Sequence, residues 1–509
     1  MNAWLKGIML STLAFGGSWS GAVWYWRSTN RMPDTGDLAL YLVALPLSLL
    51  LGYWLVRKSA AAWSARGSGP AAPADGSAGT ASTANIAGAS GAGAGAPAGT
   101  PATPAASLSI AAAALHTPHG DSAAALAGAM ADNKARPDLD KELYDDDGYP
   151  VMSARTAGLD AKNAEQEIGE WLATQGLPAL YARDEFWRAM ALATPAIAHL
   201  AEAAAGHPRV AEAAAAAGDA DNGRGTAAEA ARALNAVPML QLIVLLPPEW
   251  NSQWRDVARR WLSRQIEQAG WPQPRIAVNT RHGQHPGPVL AALQHSSEPC
   301  VTVLLACTSH LGDATMDAWA SNGSLFTASR PQGAMPGEAA AGLLLVDAEQ
   351  AALLDGGPYP QLAPIAAGQR PNDVAQARSG DCTVLKDLAQ QALKPLPAGA
   401  EVPLIVADTG HRSTRLMELM AAAHAVQPGL DPVQDILALG NATGHAGSAG
   451  FLAALALAWH EVKERGAPVL CMANEDPYLR CAALIRPAGD TAPNAQPPAM
   501  PNTPNATPA

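Results

Sequence analysis

The second half of this chain is predicted to be a layered α/β domain, behind an N-terminal pair of apolar spans and a low-complexity linker. Three observations predict it. Strand-length apolar runs recur six times after residue 236. Segments of helical period separate them, and strands alternating with helices build a buried sheet covered by helices. Between residues 67 and 135, Ala, Gly, Ser, Thr and Pro displace nearly all bulky apolar side chains.

The N-terminus opens on Gly7–Trp26, an uncharged run, and a second one follows at Leu38–Val56. At about 1.5 Å per residue, twenty residues span roughly the 30 Å of a hydrocarbon core. Trp4 at one end and Trp24, Tyr25 and Trp26 at the other are placed as an interfacial belt. No A-x-A-like cleavage site follows the first run, so a two-helix transmembrane hairpin over residues 1–66 is preferred to a cleaved signal peptide. Arg57, Lys58 and Arg66 follow the second span without an acid before Asp75. Positive-inside bias then puts both termini in the cytoplasm and makes the chain a multi-pass protein of the bacterial inner membrane.

Residues 67–135 are expected to be a disordered tether, because they offer too little apolar surface to offset the entropy of ordering. Residues 488–509, rich in Pro and Asn, are expected to be a disordered tail. A helical segment, 136–235, begins with the acidic patch Asp138–Tyr149, read as a solvated charge run. Within it Ile168, Trp171 and Leu172 share one helix face, and Phe186, Met190 and Ala193 another.

The α/β domain covers 236–487. Its first strand is the run Met239–Pro247, and the helix Ser252–Gly270 carries Trp254, Ala258, Trp261, Leu262 and Ile266 on one stripe with Arg260 and Arg264 opposite. Further strands are expected at Arg275–Thr280, Cys300–Thr308, Ala339–Ala348, Val402–Gly410 and Ala467–Asn474. Helices are expected at Pro288–Gln294, Val384–Leu393, Ser413–His424 and Gly450–Arg465.

Charge narrows the function classes. Lys and Arg total 33 against 45 Asp and Glu, a net charge of −12, with no dense basic stripe to displace counterions from nucleic acid. The five cysteines, an odd number without CxxC spacing, suggest neither a disulfide framework nor a zinc site.

Five segments in order resemble the β-ketoacyl synthase branch of the thiolase-like fold: Leu304–Ser321, Met335–Glu349 ("MPGEAAAGLLLVDAE"), Ser379–Leu393, Val406–Ala422 and Gly440–Ala458 ("GNATGHAGSAGFLAALALA"). The resemblance implies a thiolase-like layered α/β domain. It also implies a nucleophilic cysteine at a helix N-terminus, two assisting histidines and backbone N–H groups for an oxyanion. The cysteine's place is Asn279–Leu293, which has no cysteine. Asp408 or Thr409 stands where the first histidine belongs, and His411 falls late. The oxyanion loop carries Glu475 and Asp476. His411, His445 and Cys307 are the remaining catalytic candidates, with Cys307 inside a strand. Two other chemistries are weaker. His282, His285, His411 and His445 have no metal-ligand spacing, and Ser309, His310 and Asp313 lack a nucleophile elbow.

The expectation is therefore a membrane-anchored, non-catalytic ketosynthase-like scaffold or docking protein, without cofactor or metal, in an envelope or secretion assembly. The alternative is an active acyl-condensing enzyme on lipid-linked or carrier-bound substrates. Expected partners are the lipid bilayer, an acyl carrier protein or secretion and envelope proteins, and, by the resemblance, a second copy of the chain; nucleic acid is not among them.

Overall fold

The structure, a computed structural model, describes residues 106–371, 381–397 and 399–489, all within one compact unit that comprises 98–509. The first part of this unit contains β1 (Leu108–His116), α1 (Ala123–Ala131), β2 (Asp138–Tyr144), β3 (Pro150–Ser153), α2 (Ala161–Thr174), α3 (Asp184–Ala205), α4 (Pro208–Asp221) and α5 (Ala227–Ala236). There follow β4 (Leu240–Leu246), α6 (Ser252–Gln268), β5 (Ile276–His282), α7 (Pro286–Gln294), β6 (Val301–Ser309), α8 (Asp313–Ser321), β7 (Glu338–Val346) and α9 (Ala348–Leu353). The remainder is β8 (Gln361–Leu362), β9 (Ala366–Gln369), α10 (Thr383–Leu393), β10 (Leu404–Ala407), α11 (Ser413–Val426), β11 (Ile436–Ala438), α12 (Gly440–Thr443), α13 (Gly447–Arg465), β12 (Val469–Ala473) and β13 (Leu479–Arg486).

The strands hydrogen-bond in the order β11-β10-β12-β13-β8-β1-β7-β6-β4-β5, with β9 also on β13. This order contains a repeat that the sequence hid. β4 lies between parallel β5 and β6, followed by antiparallel β7 and β1. β10 lies likewise between parallel β11 and β12, followed by antiparallel β13 and β9.

Three cores show how the two halves stack. Alternate residues of β4 and β6, such as Leu242 and Leu305, pack with α3 and α6 in an outer core. Their neighbours Ile243 and Leu304 share a second core with Val406 and Cys471 of the other half and with α13. Ile405 and Leu470 face a third core beneath α10 and α11. The result is α/β/α/β/α layering, and α13 is central because Phe451–Ala458 is wholly buried. All nine residues of β6 and of β7 are buried, which is why both read as long, largely apolar runs.

Three expectations are corrected. The segment Leu108–His116, assigned by composition to the tether, is a strand between β7 and β8; its Ala112–Ala114 run is the small-residue surface over which α3 and α13 pack. The acidic patch 138–149 begins a β-hairpin rather than a helical segment; most of its charges are solvated as expected, but Asp140 is buried against Ser153 at 2.5 Å and Arg155 at 2.9 Å. The expected spans at 7–26 and 38–56 lie outside the described residues. The multi-pass inner-membrane placement is overturned by the helices themselves: among the described residues none is long and apolar enough to cross a membrane. The longest, α3, carries Asp184, Glu185, Arg188 and Glu202, and α13 spends its apolar surface inside the protein.

Candidate functional site

The carboxyl ends of β4, β6, β10 and β12 converge on a cavity of about 290 Å³. Parallel strands place their following loops at one rim, so residues far apart in sequence meet there. His285, Cys307, His310, Asp408, His445 and Glu475 all line it.

His285 occupies the place that the ketosynthase resemblance gives to the nucleophile. It is the N-cap of α7, with Pro286 as the first helical residue, a position where a missing N–H costs nothing. Its Nδ1 accepts the Gly287 N–H at 3.1 Å and lies 3.8 Å from Cys481 Sγ. The ring stacks on Phe451 at 5.3 Å. Burial pushes the imidazole down to about 4, so it is neutral at physiological pH. Cys307 faces the cavity from β6, but burial pushes its thiol up to about 12, which leaves almost no thiolate.

The motif loops of the sequence meet at one point. His445 N–H donates to the Met335 carbonyl at 2.8 Å, and His310 N–H to that of Gly337 at 3.0 Å. A Cβ on Gly337 would collide with the Thr443 carbonyl and come within 3.0 Å of Gly444 Cα. Gly337→Ala is therefore expected to separate the two loops and cost about 1–3 kcal/mol, the usual range for overpacking. Urea unfolding reads this, and an unchanged midpoint would show that the approach is not needed.

His310 and His445 stack at 5.2 Å with 27° between their planes, and Trp319 stands 5.1 Å and 5.7 Å from the two rings. Burial, helped by the His445 ring beside it, pushes His310 down to about 3. His310 Nε2 is buried without a hydrogen-bond partner.

Carboxylates complete the rim. Asp408 Oδ1 accepts the N–H groups of Asn474 at 2.9 Å and Glu475 at 3.2 Å. Burial, with the Glu475 carboxylate adjacent, raises Asp408 to about 7. Burial would also raise Glu475, but the His445 imidazole, the Arg412 guanidinium and the Gly410 N–H beside it prevail and hold it near 2. Glu475 pairs with Arg412 and accepts the Gly410 N–H at 3.0 Å, while His445 Nδ1 lies 3.8 Å away. Glu249, after β4, is raised first by burial and then by Glu185.

Of the candidates read from sequence, the fold brings together His285, Cys307 and His445. His411 packs edge-on to Phe326 at 5.0 Å, away from the cavity lining, and His282 is exposed on β5. Ser309 turns to Glu338 Oε2 at 3.0 Å, in a cluster where Arg188 bridges both carboxylate oxygens, so no Ser–His pair forms with His310. Sequence reasoning overlooked Glu249 and weighed His310 only as part of a rejected Ser–His–Asp set. Both lie in loops that follow the carboxyl end of a buried strand, a position that carries site residues in such sheets.

The fold is that of a ketosynthase-like α/β domain, and comparison with solved structures places the likeness in the fold. The oxazolomycin ketosynthase domain OzmH KS7 of Streptomyces albus JA3453 superposes with a TM-score of 0.50 over 78% of this chain and 76% of its own, at 13% identity. The ketosynthase from module 6 of the bacillaene synthase of Bacillus subtilis 168 gives 0.49 over 74% and 72%, at 11% identity. At such identities the likeness is one of fold alone. More particularly, residues 364–487 match the family described as type VI lipase adapter protein Tla3, C-terminal. Among curated proteins nothing matches the chain.

Proposed function

We propose that this chain is a non-catalytic, ketosynthase-like docking module that serves as an adapter for an effector of a secretion machine. The observation that carries the first part is His285 at the N-terminus of α7, where a condensing enzyme needs a thiolate. Its Nδ1 lone pair is engaged by the Gly287 N–H, so it neither attacks nor takes up an acyl group. Glu475 and Asp476 oppose any developing oxyanion at the facing loop. The match of residues 364–487 to lipase adapters supports the second part and makes a lipase effector the partner to test.

Two measurements test this. Incubation with malonyl- and acyl-carrier protein, followed by intact mass, is expected to leave the chain unmodified. A stoichiometric acyl adduct that disappears in Cys307→Ser would establish the condensing-enzyme alternative instead. Co-expression with a type VI lipase effector is expected to give a co-eluting complex, and its absence defeats the adapter role. Light scattering on the same column reads the expected homodimer, for which the edge strand β5 offers unpaired backbone groups.

A further inference from the structure

The cavity is built for charge of the opposite sign from a ketosynthase site. Three loops supply carboxylates to it: Glu249 after β4, Asp408 after β10, and Glu475 with Asp476 after β12. Glu475 has Arg412 as its ion-pair partner. Asp408 takes two backbone N–H groups at its Oδ1, and Asp476 takes those of Tyr478 and Leu479 at 2.8 Å and 2.7 Å. Arg480, below the loop, is committed to Glu418 at 2.9 Å. The rim therefore holds more negative than positive charge.

A second observation is independent of the carboxylates. His310 is enclosed at the cavity wall and its Nε2 has no partner, whereas His445 Nδ1 lies 3.8 Å from Glu475 Oε1. The two imidazoles stack, with Trp319 beside them, as a small aromatic shelf in which His310 Nε2 is buried without a partner. A cation over such a shelf gains attraction from the rings, and its N–H group supplies what His310 Nε2 lacks. An anion would meet a rim whose acidic groups outnumber its one guanidinium, that of Arg412 on Glu475. Among the described residues, no group of three His, Cys, Asp or Glu side chains is placed to hold a metal ion. The volume of about 290 Å³ lies at the foot of the ~300–1,000 Å³ range of small-molecule sites, the size for one side chain.

We propose that this cavity receives the ammonium or guanidinium head of a lysine or arginine side chain presented by the partner protein. The inference rests on the adapter reading for its source of the cation, and a free small amine is the competing source.

Calorimetric titration of the full chain tests it, using n-butylammonium, the peptide Ac-Ala-Lys-Ala-amide, n-butanol and butyrate. The expected result is saturable one-to-one binding of the peptide. Butylammonium should bind at least tenfold more weakly, and neither butanol nor butyrate should give heat. The Glu249→Gln/Asp476→Asn double variant, whose amides keep the local hydrogen-bond acceptors, is expected to weaken the peptide at least tenfold while unfolding as cooperatively as the parent. Butylammonium binding as tightly as the peptide would replace the side chain by a free amine and overturn the proposal. So would preferential butyrate binding, or binding that the double variant leaves unchanged. A chain that ignores cations yet co-elutes with a lipase effector loses this inference alone. One that binds the peptide but captures no effector loses the adapter reading.

Discussion

Glu418→Gln is expected to destabilise the protein by about 3–5 kcal/mol, the range for removing one partner of a buried ion pair. Glu418 lies on α11 with no exposed side-chain surface, and its Oε1 accepts from Arg370 at 2.6 Å and Arg480 at 2.9 Å. Both guanidiniums are nearly or wholly excluded from water, at 3% and 0% side-chain exposure, so neither can recover its hydration when the charge is lost. Arg370 keeps Asp381 at 3.0 Å, but that carboxylate is half-exposed and screened; Arg480 keeps only carbonyls such as that of Asp476 at 2.6 Å. Glu418 Oε2 also receives Asn474 Nδ2 at 3.3 Å, and Asn474 holds Thr409 Oγ1 at 2.6 Å. The loss should therefore spread to the cavity rim. Guanidinium-chloride unfolding checks the magnitude, and a change below about 1 kcal/mol would mean that the triad is neutralised otherwise.

Asp408→Asn should have the opposite sign. The Asp408 carboxyl stands near 7 in the folded protein against an ordinary 3.8, because burial and the neighbouring Glu475 disfavour its ionised form. Between these values the folded state holds a proton that the unfolded state has released, so this group's contribution to stability falls as pH rises through that window. A shift of roughly three units corresponds to about 4 kcal/mol at most. The asparagine retains an Oδ1 for the Asn474 and Glu475 N–H groups. Asp408→Asn is thus expected to be more stable than the parent at pH 8 by about 2–4 kcal/mol, with the difference closing towards pH 4. Glu475, held near 2, contributes stability above its ordinary 4.5 that is lost as pH falls towards 2, in both proteins alike. Paired urea titrations at pH 5 and pH 8 decide the matter; a destabilised variant at pH 8 would show that Asp408 is stabilised as an anion.

The pseudo-repeat gives the cavity a frame built from both halves of the sheet. Half of it hangs on β4 and β6, half on β10 and β12, and contacts cross between the halves. Pro336 bridges His445, and Ser448 Oγ donates to the Gln284 carbonyl at 2.9 Å. These ties are backbone and hydroxyl contacts that do not depend on a nucleophile. A thiol at position 285 is therefore not needed to keep the loops in register.

The sequence by itself determined the layered α/β class, six strands and most of the helices after residue 236, because continuous apolar runs and helical periodicity are local properties of the chain. It also showed that Asn279–Leu293 holds no cysteine and that the loop after Ala473 is acidic, since these are matters of residue identity. Only the tertiary structure decided the rest. Strand β1 was invisible because its Ala-rich stretch looks like a tether until α3 and α13 are seen packing on it. The acidic hairpin depended on Arg155, and the repeat on pairings between strands whose sequences have diverged. The meeting of Glu249, His310, Asp408, His445 and Glu475 spans more than two hundred residues of chain. Burial at that meeting point, not residue type, keeps His310 neutral and Asp408 reluctant to ionise, so the charge the cavity favours is a property of the folded protein alone.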